Sequence, residues 1–219
     1  MPGVLLQKGQ KAMPIKSESF IRRAERDDLD VIVEWMEDED FQRFLYGDPA
    51  RSPKQIREQI VGMLGRSVGH TMPGGIYLMV DSHKDGPLGL VLLQNISWRN
   101  RNCSLDVYLG KKEFREGFVA GLATFRALEY CFDELNLHRV SAYIYAFNRP
   151  SWRTFEMTGA VRELELENHV LRDGALHAIY GYGLLRSEFE QFRKKFTRME
   201  GVTLKSMIAD LVVREGAET

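Results

Sequence analysis

A β–β–α–β succession in the middle of the chain constrains the fold more than any other feature. Residues 88–96 form a long apolar run bounded by turn signals, the pattern of a central strand buried on both faces. Residues 99–102 are polar and fit a hairpin tip. The next segment, 103–109, alternates: Cys103, Leu105, Val107 and Leu109 face one way, and Ser104, Asp106 and Tyr108 the other. A helix is predicted over 117–135, with Phe118, Leu122, Phe125, Leu128 and Phe132 at helical spacing. A strand over 139–147 follows, rich in β-branched and aromatic residues. Strand, helix and strand in that order imply a right-handed crossover within one sheet.

The flanks extend this unit. A short strand over 20–24 precedes a helix that Asp27 or Asp28 can cap, with Leu29, Ile32, Val33 and Met36 as its apolar face. Residues 46–53 are turn-rich, and Pro53 opens a second helix with Ile56, Ile60, Met63 and Leu64 as its stripe. Residues 76–80 are strand-like. Pro150 and Gly159 bracket a short helix, and strands over 161–171 and 175–184 pair around the turn Arg172–Asp173–Gly174. Helices over 188–199 and 204–214 close the chain. The order predicts an α/β fold, a mixed twisted sheet of six to seven strands with helices on both faces. Residues 1–19 read as a tail, 20–187 as one domain and 188–219 as a C-terminal helical extension.

The bulk chemistry excludes several functions. A net charge of −1 and the lack of a basic motif argue against nucleic acid as a partner. No apolar stretch reaches the ~20 residues of a membrane span, so no membrane partner is expected. Cys103 and Cys131 are too few for a disulfide framework and lack metal-ligand spacing. They read as buried free thiols in a reducing, cytoplasmic compartment, and no metal is expected.

The informative chemistry lies where the alternating strand ends. A loop with Gly117 leads into a helix whose first N–H groups lack intrahelical partners and point along a positive dipole end. That arrangement binds phosphate, and Lys111, Lys112 and Arg115 add positive charge nearby. Gly117 lets a ligand approach the backbone closely. Alone this is a weak signal, because a glycine before a helix is more often only a turn.

The element order and several motifs resemble the GNAT acetyltransferase superfamily, most closely its RimJ/RimL and spermidine-acetyltransferase-like branch. The motifs are Phe-Ile-Arg-Arg-Ala-Glu-Arg-Asp-Asp-Leu at 20–29, Tyr-Leu-Gly-Lys-Lys-Glu-Phe-Arg-Glu-Gly at 108–117, Asn-Leu-His-Arg-Val at 136–140 and Asn-Arg-Pro-Ser-Trp-Arg-Thr-Phe-Glu-Met-Thr-Gly at 148–159. The resemblance implies acetyl-CoA as co-substrate. The strand ending at Leu109 and the strand starting near Arg139 would be parallel neighbours that splay apart. It places the coenzyme A pyrophosphate on the backbone of Arg115, Glu116, Gly117, Phe118, Val119 and Ala120. The pantetheine arm would lie by Val107, Tyr108, Leu109 and Asn148, with Arg153 in reach of the phosphates.

Beside Phe114, which replaces the first basic residue of the phosphate loop, the chain departs from the family at three positions. Phe155 stands where relatives often carry a tyrosine that protonates the leaving thiolate. Ser104 stands where the branch often carries a glutamate. Val119 replaces a small residue of the phosphate loop. Asp106 shares its strand face with Ser104 and is the candidate general base or amine-binding carboxylate. The resemblance therefore implies an N-acetyltransferase acting on a small primary amine, an amino sugar or a protein N-terminus. The alternative is a non-catalytic protein of the same fold that binds coenzyme A. The C-terminal extension and Trp98 are candidate surfaces for a homodimer.

Overall fold

The computed structural model of the protein describes residues 21–45, 52–65, 72–82, 86–111, 114–115 and 118–200. The tail over 1–19, the helix expected over 204–214, and the site residues Glu116 and Gly117 lie outside them.

Seven strands form one sheet: β1 (Ile21–Arg23), β2 (Ile76–Ser82), β3 (Gly86–Ser97), β4 (Asn102–Leu109), β5 (Arg139–Tyr145), β6 (Val161–Arg172) and β7 (Ala175–Leu185), in the spatial order β1-β2-β3-β4-β5-β7-β6. The pairings are antiparallel except β4 with β5, which is parallel. The apolar run in β3 is explained by its place, because helices cover both sides of it. Leu90 and Leu92 join Tyr77, Met79 and Tyr108 under the helices α1 (Leu29–Glu37), α2 (Glu39–Leu45) and α3 (Pro53–Gly65). Val91 and Leu93 join Leu78, Val80, Leu105 and Val140 on the opposite face. There the sheet packs against α4 (Phe118–Glu129), α5 (Arg149–Met157) and α6 (Arg186–Glu200). Phe189 of α6 is fully buried against Phe125 and Phe132.

Local details depart from the sequence reading in three places. First, α4 does not run evenly to residue 135 but widens into a π-helical turn over Tyr130–Glu134. Second, Asp28 does not cap α1 with its side chain. Its carboxylate turns back to accept from Arg22 (2.7 Å to each oxygen) and from the backbone N–H of Glu25 (2.8 Å). Desolvation acts to raise the Asp28 carboxyl, yet these bonds hold it below the ordinary range. Arg22 also reaches Asp81, so one guanidinium ties β1, β2 and the first turn. Third, α2 exists as a separate helix, which the sequence reading does not set apart. Trp98 is half-buried and donates its indole N–H to the Pro73 carbonyl at 2.7 Å. Cys103 and Cys131 are buried and free, with their sulfurs 4.0 Å apart.

Candidate active site

The site begins with a failure of pairing. β4 and β5 are joined only at Asn102–Arg139, Cys103–Val140 and Ser104–Ser141. Past those positions β4 remains paired with β3 as far as Leu109, and β5 with β7 as far as Tyr145. The two parallel strands therefore diverge toward their C-terminal ends, and their facing edges carry no ladder hydrogen bonds beyond Ser104 and Ser141. A backbone edge inside a sheet that lacks a neighbour is a template for an extended chain with amide groups.

On the α1–α3 face of this gap stands Asp106. It lies opposite Leu92 in the register, and its Oδ2 accepts from the side-chain amide of Gln94 at 2.8 Å. Burial pushes its carboxyl up to about 6, and the Gln94 bond acts in the opposite direction. Part of the residue still reaches solvent. A carboxylate in that state is mostly ionised at neutral pH and basic enough to take a proton.

The end of β4 is locked by Arg115. Its guanidinium donates to the carbonyls of Leu109 (2.7 Å) and Gly110 (3.2 Å), to the Tyr108 hydroxyl (2.6 Å) and to Asp40, and it lies 3.5 Å from Asp38. It also sits over the Tyr108 ring, 5.0 Å from the centroid. Asp38 interrupts the helical backbone between α1 and α2 with ψ 134 and caps α2 by accepting from the N–H groups of Asp40 (2.9 Å) and Phe41 (3.4 Å). Desolvation works to raise the Asp38 carboxyl, but the Tyr108 hydroxyl, these N–H groups and the Arg115 charge hold it below its ordinary range. Burial raises Tyr108 well above the usual phenol value, with Asp38 and Asp40 adding to the rise and Arg115 opposing it. Tyr108 is thus a poor proton donor, fixed in place by Arg115 and by an edge-to-face contact with Phe41 at 4.7 Å.

The remaining predicted residues are spread over β4, α4 and α5. Val107 and Leu109 belong to the β4 stretch that diverges from β5. Phe118, Val119 and Ala120 form the first turn of α4. The Val119 side chain, 9% exposed, packs in the core. Asn148 stands at the N-cap position of α5 without a side-chain capping bond, and its N–H donates to the Tyr145 carbonyl at 2.8 Å. Arg153 is exposed on α5. Phe155 is buried, edge-on to Tyr182 with ring centroids 6.2 Å apart. Burial raises the Tyr182 phenol, and its hydroxyl donates to Glu156 at 2.8 Å.

Several participants escape a reading of the sequence alone. Gln94 reaches Asp106 only because of the β3–β4 register. Arg139 lies across Gly183, where a Cβ would overlap its guanidinium, and pairs with both carboxylate oxygens of Glu163 beside Ser141. Past the Trp35 indole, which a Cβ on Gly110 would overlap, lies an open groove of about 540 Å3 whose wall includes Glu34, Glu37, Asp38 and Lys111. Asp106 is not on that wall.

The described strands form a seven-stranded mixed α/β sheet that opens at its parallel pair, and comparison supplies the family. The acetyltransferase (GNAT) domain matches residues 20–161, and the chain belongs to that family. It is an acyl-CoA-dependent N-acetyltransferase, with acetyl-CoA as co-substrate and an amine as acceptor. It is 23% identical over 169 residues to the uncharacterised N-acetyltransferase p20 of Bacillus licheniformis, covering 77% of this chain and 93% of that one. It is 23% identical over 175 residues to the spermidine N(1)-acetyltransferase of Vibrio cholerae, covering 80% and 97%. A crystal structure of spermidine N-acetyltransferase from Vibrio cholerae in complex with CoA and spermine superposes with a TM-score of 0.68 at 21% identity, over 77% of this chain and 96% of that one. That likeness carries the fold. Among the described residues no helix is long and apolar enough to cross a membrane.

Proposed function

We propose that the acceptor is a small aliphatic primary amine, bound as its cation and deprotonated at Asp106. The observation that carries this reading is the place of Asp106, a carboxylate raised to about 6 on the face of β4 that borders the gap. The likeness to a spermidine N(1)-acetyltransferase points the same way. A cytoplasmic setting accords with two free thiols.

The gap suits coenzyme A in shape and chemistry. Its unpaired strand edges match an arm that carries amides, and the first turn of α4 offers N–H groups to a pyrophosphate. The backbone of residues 115–120 would hold the pyrophosphate, and Val107, Tyr108, Leu109 and Asn148 the arm. Arg153 would lie toward the phosphates. The Arg115 guanidinium is committed to Asp38, Asp40 and Tyr108, so only its backbone serves the loop. Acetyl-CoA supplies an acyl carbon activated as a thioester and a thiolate leaving group. Asp106 takes the proton of the bound ammonium on Oδ1 while Gln94 holds Oδ2. An N–H of the 107–109 stretch polarises the carbonyl, a donor in place before the reaction. Proximity provides much of the remaining acceleration. Phe155 has no acidic proton and plays no part in proton transfer.

The test is release of free thiol from acetyl-CoA with a panel of alkyl amines, polyamines, an amino sugar and peptides with free N-termini. Turnover highest with an alkyl amine or polyamine is expected. Turnover confined to peptide N-termini would overturn the assignment.

A further inference from the structure

The helix α2 touches both sides of the gap. At its start, Asp38 and Asp40 hold Arg115, and Phe41 packs on Tyr108, all at the end of β4. At its other end, Phe44 lies 5.9 Å from Phe147, just past β5, and Arg43 pairs with Asp173 at 2.5 Å. Asp173 is at the tip of the β6–β7 hairpin, and Arg172 beside it donates to the Arg43 carbonyl (3.4 Å) and the Tyr145 hydroxyl (2.9 Å). A seven-residue helix is about 10 Å long. One missing strand leaves roughly the same width, two spacings of about 4.8 Å. So α2 crosses the mouth of the gap from bank to bank, on the face that carries Asp106.

The two attachments differ. The β4 side rests on a half-buried network around Arg115, 21% exposed. On the hairpin side the ion pair is Arg43 with Asp173, whose side chains are 47% and 62% exposed, beside the Phe44–Phe147 contact and the Arg172 bond to the Arg43 carbonyl. An exposed pair is weak, so this bank is the one that opens.

We propose that α2 is a strap across the acceptor entrance, and that the Arg43–Asp173 contact, by holding it down, sets the girth of the amine that reaches Asp106. An unbranched alkyl amine passes beneath it, and a branched or peptidyl amine does not. The inference rests on the assignment of Asp106 as the acceptor end of the site.

The test uses Asp173→Arg, which sets like charges against each other, and the swap Arg43→Asp with Asp173→Arg, which restores attraction. Two readouts are taken on the full chain. One is the ratio of kcat/KM for a branched amine to that for an unbranched one. The other is hydrogen exchange of the α2 amides, which reports the opening equilibrium directly. Asp173→Arg is expected to raise both about five-fold, the scale of an exposed pair lost and reversed, and the swap to return both toward wild type. Unchanged exchange would overturn the pin. Faster exchange with an unchanged ratio would overturn the gating. A wild-type protein that acetylates no amine would instead overturn the proposed acceptor class, and the strap would then be decided by exchange alone.

Discussion

Asp106→Asn separates a functional carboxylate from a structural one, because the two roles predict opposite signs for stability. A carboxyl raised from 3.8 to about 6 by burial is harder to ionise in the folded chain than in the unfolded one. The folded state holds the extra proton between those values, so stability falls as pH rises through that window and the whole penalty is present at pH 7. A rise of that size corresponds to about 3 kcal/mol; partial solvent contact reduces it, leaving about 1–3 kcal/mol. Asparagine keeps the size and the acceptor for Gln94 and carries no charge. The variant should therefore be more stable than wild type at pH 7 by about 1–3 kcal/mol and no more stable below pH 4. Acetyl transfer should fall ~100-fold, with coenzyme A affinity retained. The wild-type kcat/KM should also show an ascending limb near pH 6 that the variant lacks. Urea denaturation at pH 4 and 7, calorimetry with coenzyme A and a thiol-release assay measure all of these. An Asn variant with wild-type turnover, or one destabilised at pH 7, would refute the reasoning.

Two further substitutions probe the frame around the site. Arg115→Gln removes the cation shared by Asp38, Asp40 and Tyr108 and should lower stability by about 2–3 kcal/mol in urea titrations, with a raised KM for the amine; Arg115→Lys should rescue it only in part, since an ammonium lacks the fork that reaches two carbonyls, a phenol and two carboxylates. Gly110→Ala drives a methyl into the Trp35 indole and should cost about 1–3 kcal/mol by thermal melting, whereas Gly74→Ala, where a Cβ meets nothing within 4 Å, should stay within about 0.5 kcal/mol of wild type.

What the sequence reveals and what it hides follow from range. The β4 alternation survives folding intact because both faces of that strand have clear tasks, Cys103 and Leu105 in one core and Tyr108 in the other. The hairpin tip is legible because Asp173 and Gly174 adopt φ 52 and 76, the left-handed pair that Asp-Gly favours in a two-residue turn. By contrast, Glu37, Asp38, Glu39 and Asp40 look like the solvated end of one helix. They become a helix break, a cap and an anchor only once Arg115, 75 positions away from Asp40, has been brought beside them. Arg115 itself reads locally as a phosphate ligand, since it stands next to the loop before α4. Its side chain pairs instead with Asp38 and Asp40, far away in the sequence. The spacing of Phe41, Phe44 and Leu45 is the one local trace of α2, and its seven residues give too short a window for periodicity to speak.

The choice of Asp106 rests on an elimination that joins the sequence pattern to the topology. A strand presents every second residue to a given face, so β4 offers that face only Ser104, Asp106 and Tyr108 near the gap. Ser104 is the last position still paired to β5, with Ser141 directly across, and lies where the sheet is closed. Tyr108 is buried, 7% exposed, with its hydroxyl committed to Arg115 and Asp38 and its phenol pushed up by burial. Asp106 is the position between them, one step past the closed sheet and one step short of the Arg115 lock. It is the member of the three with both a titratable oxygen and access to the opening. Two residues along a strand is about 6.6 Å, so a carboxylate at 106 stands further toward the open end of the gap than one at 104 would, past the last β4–β5 pairing; under the proposed assignment the base acts from that position.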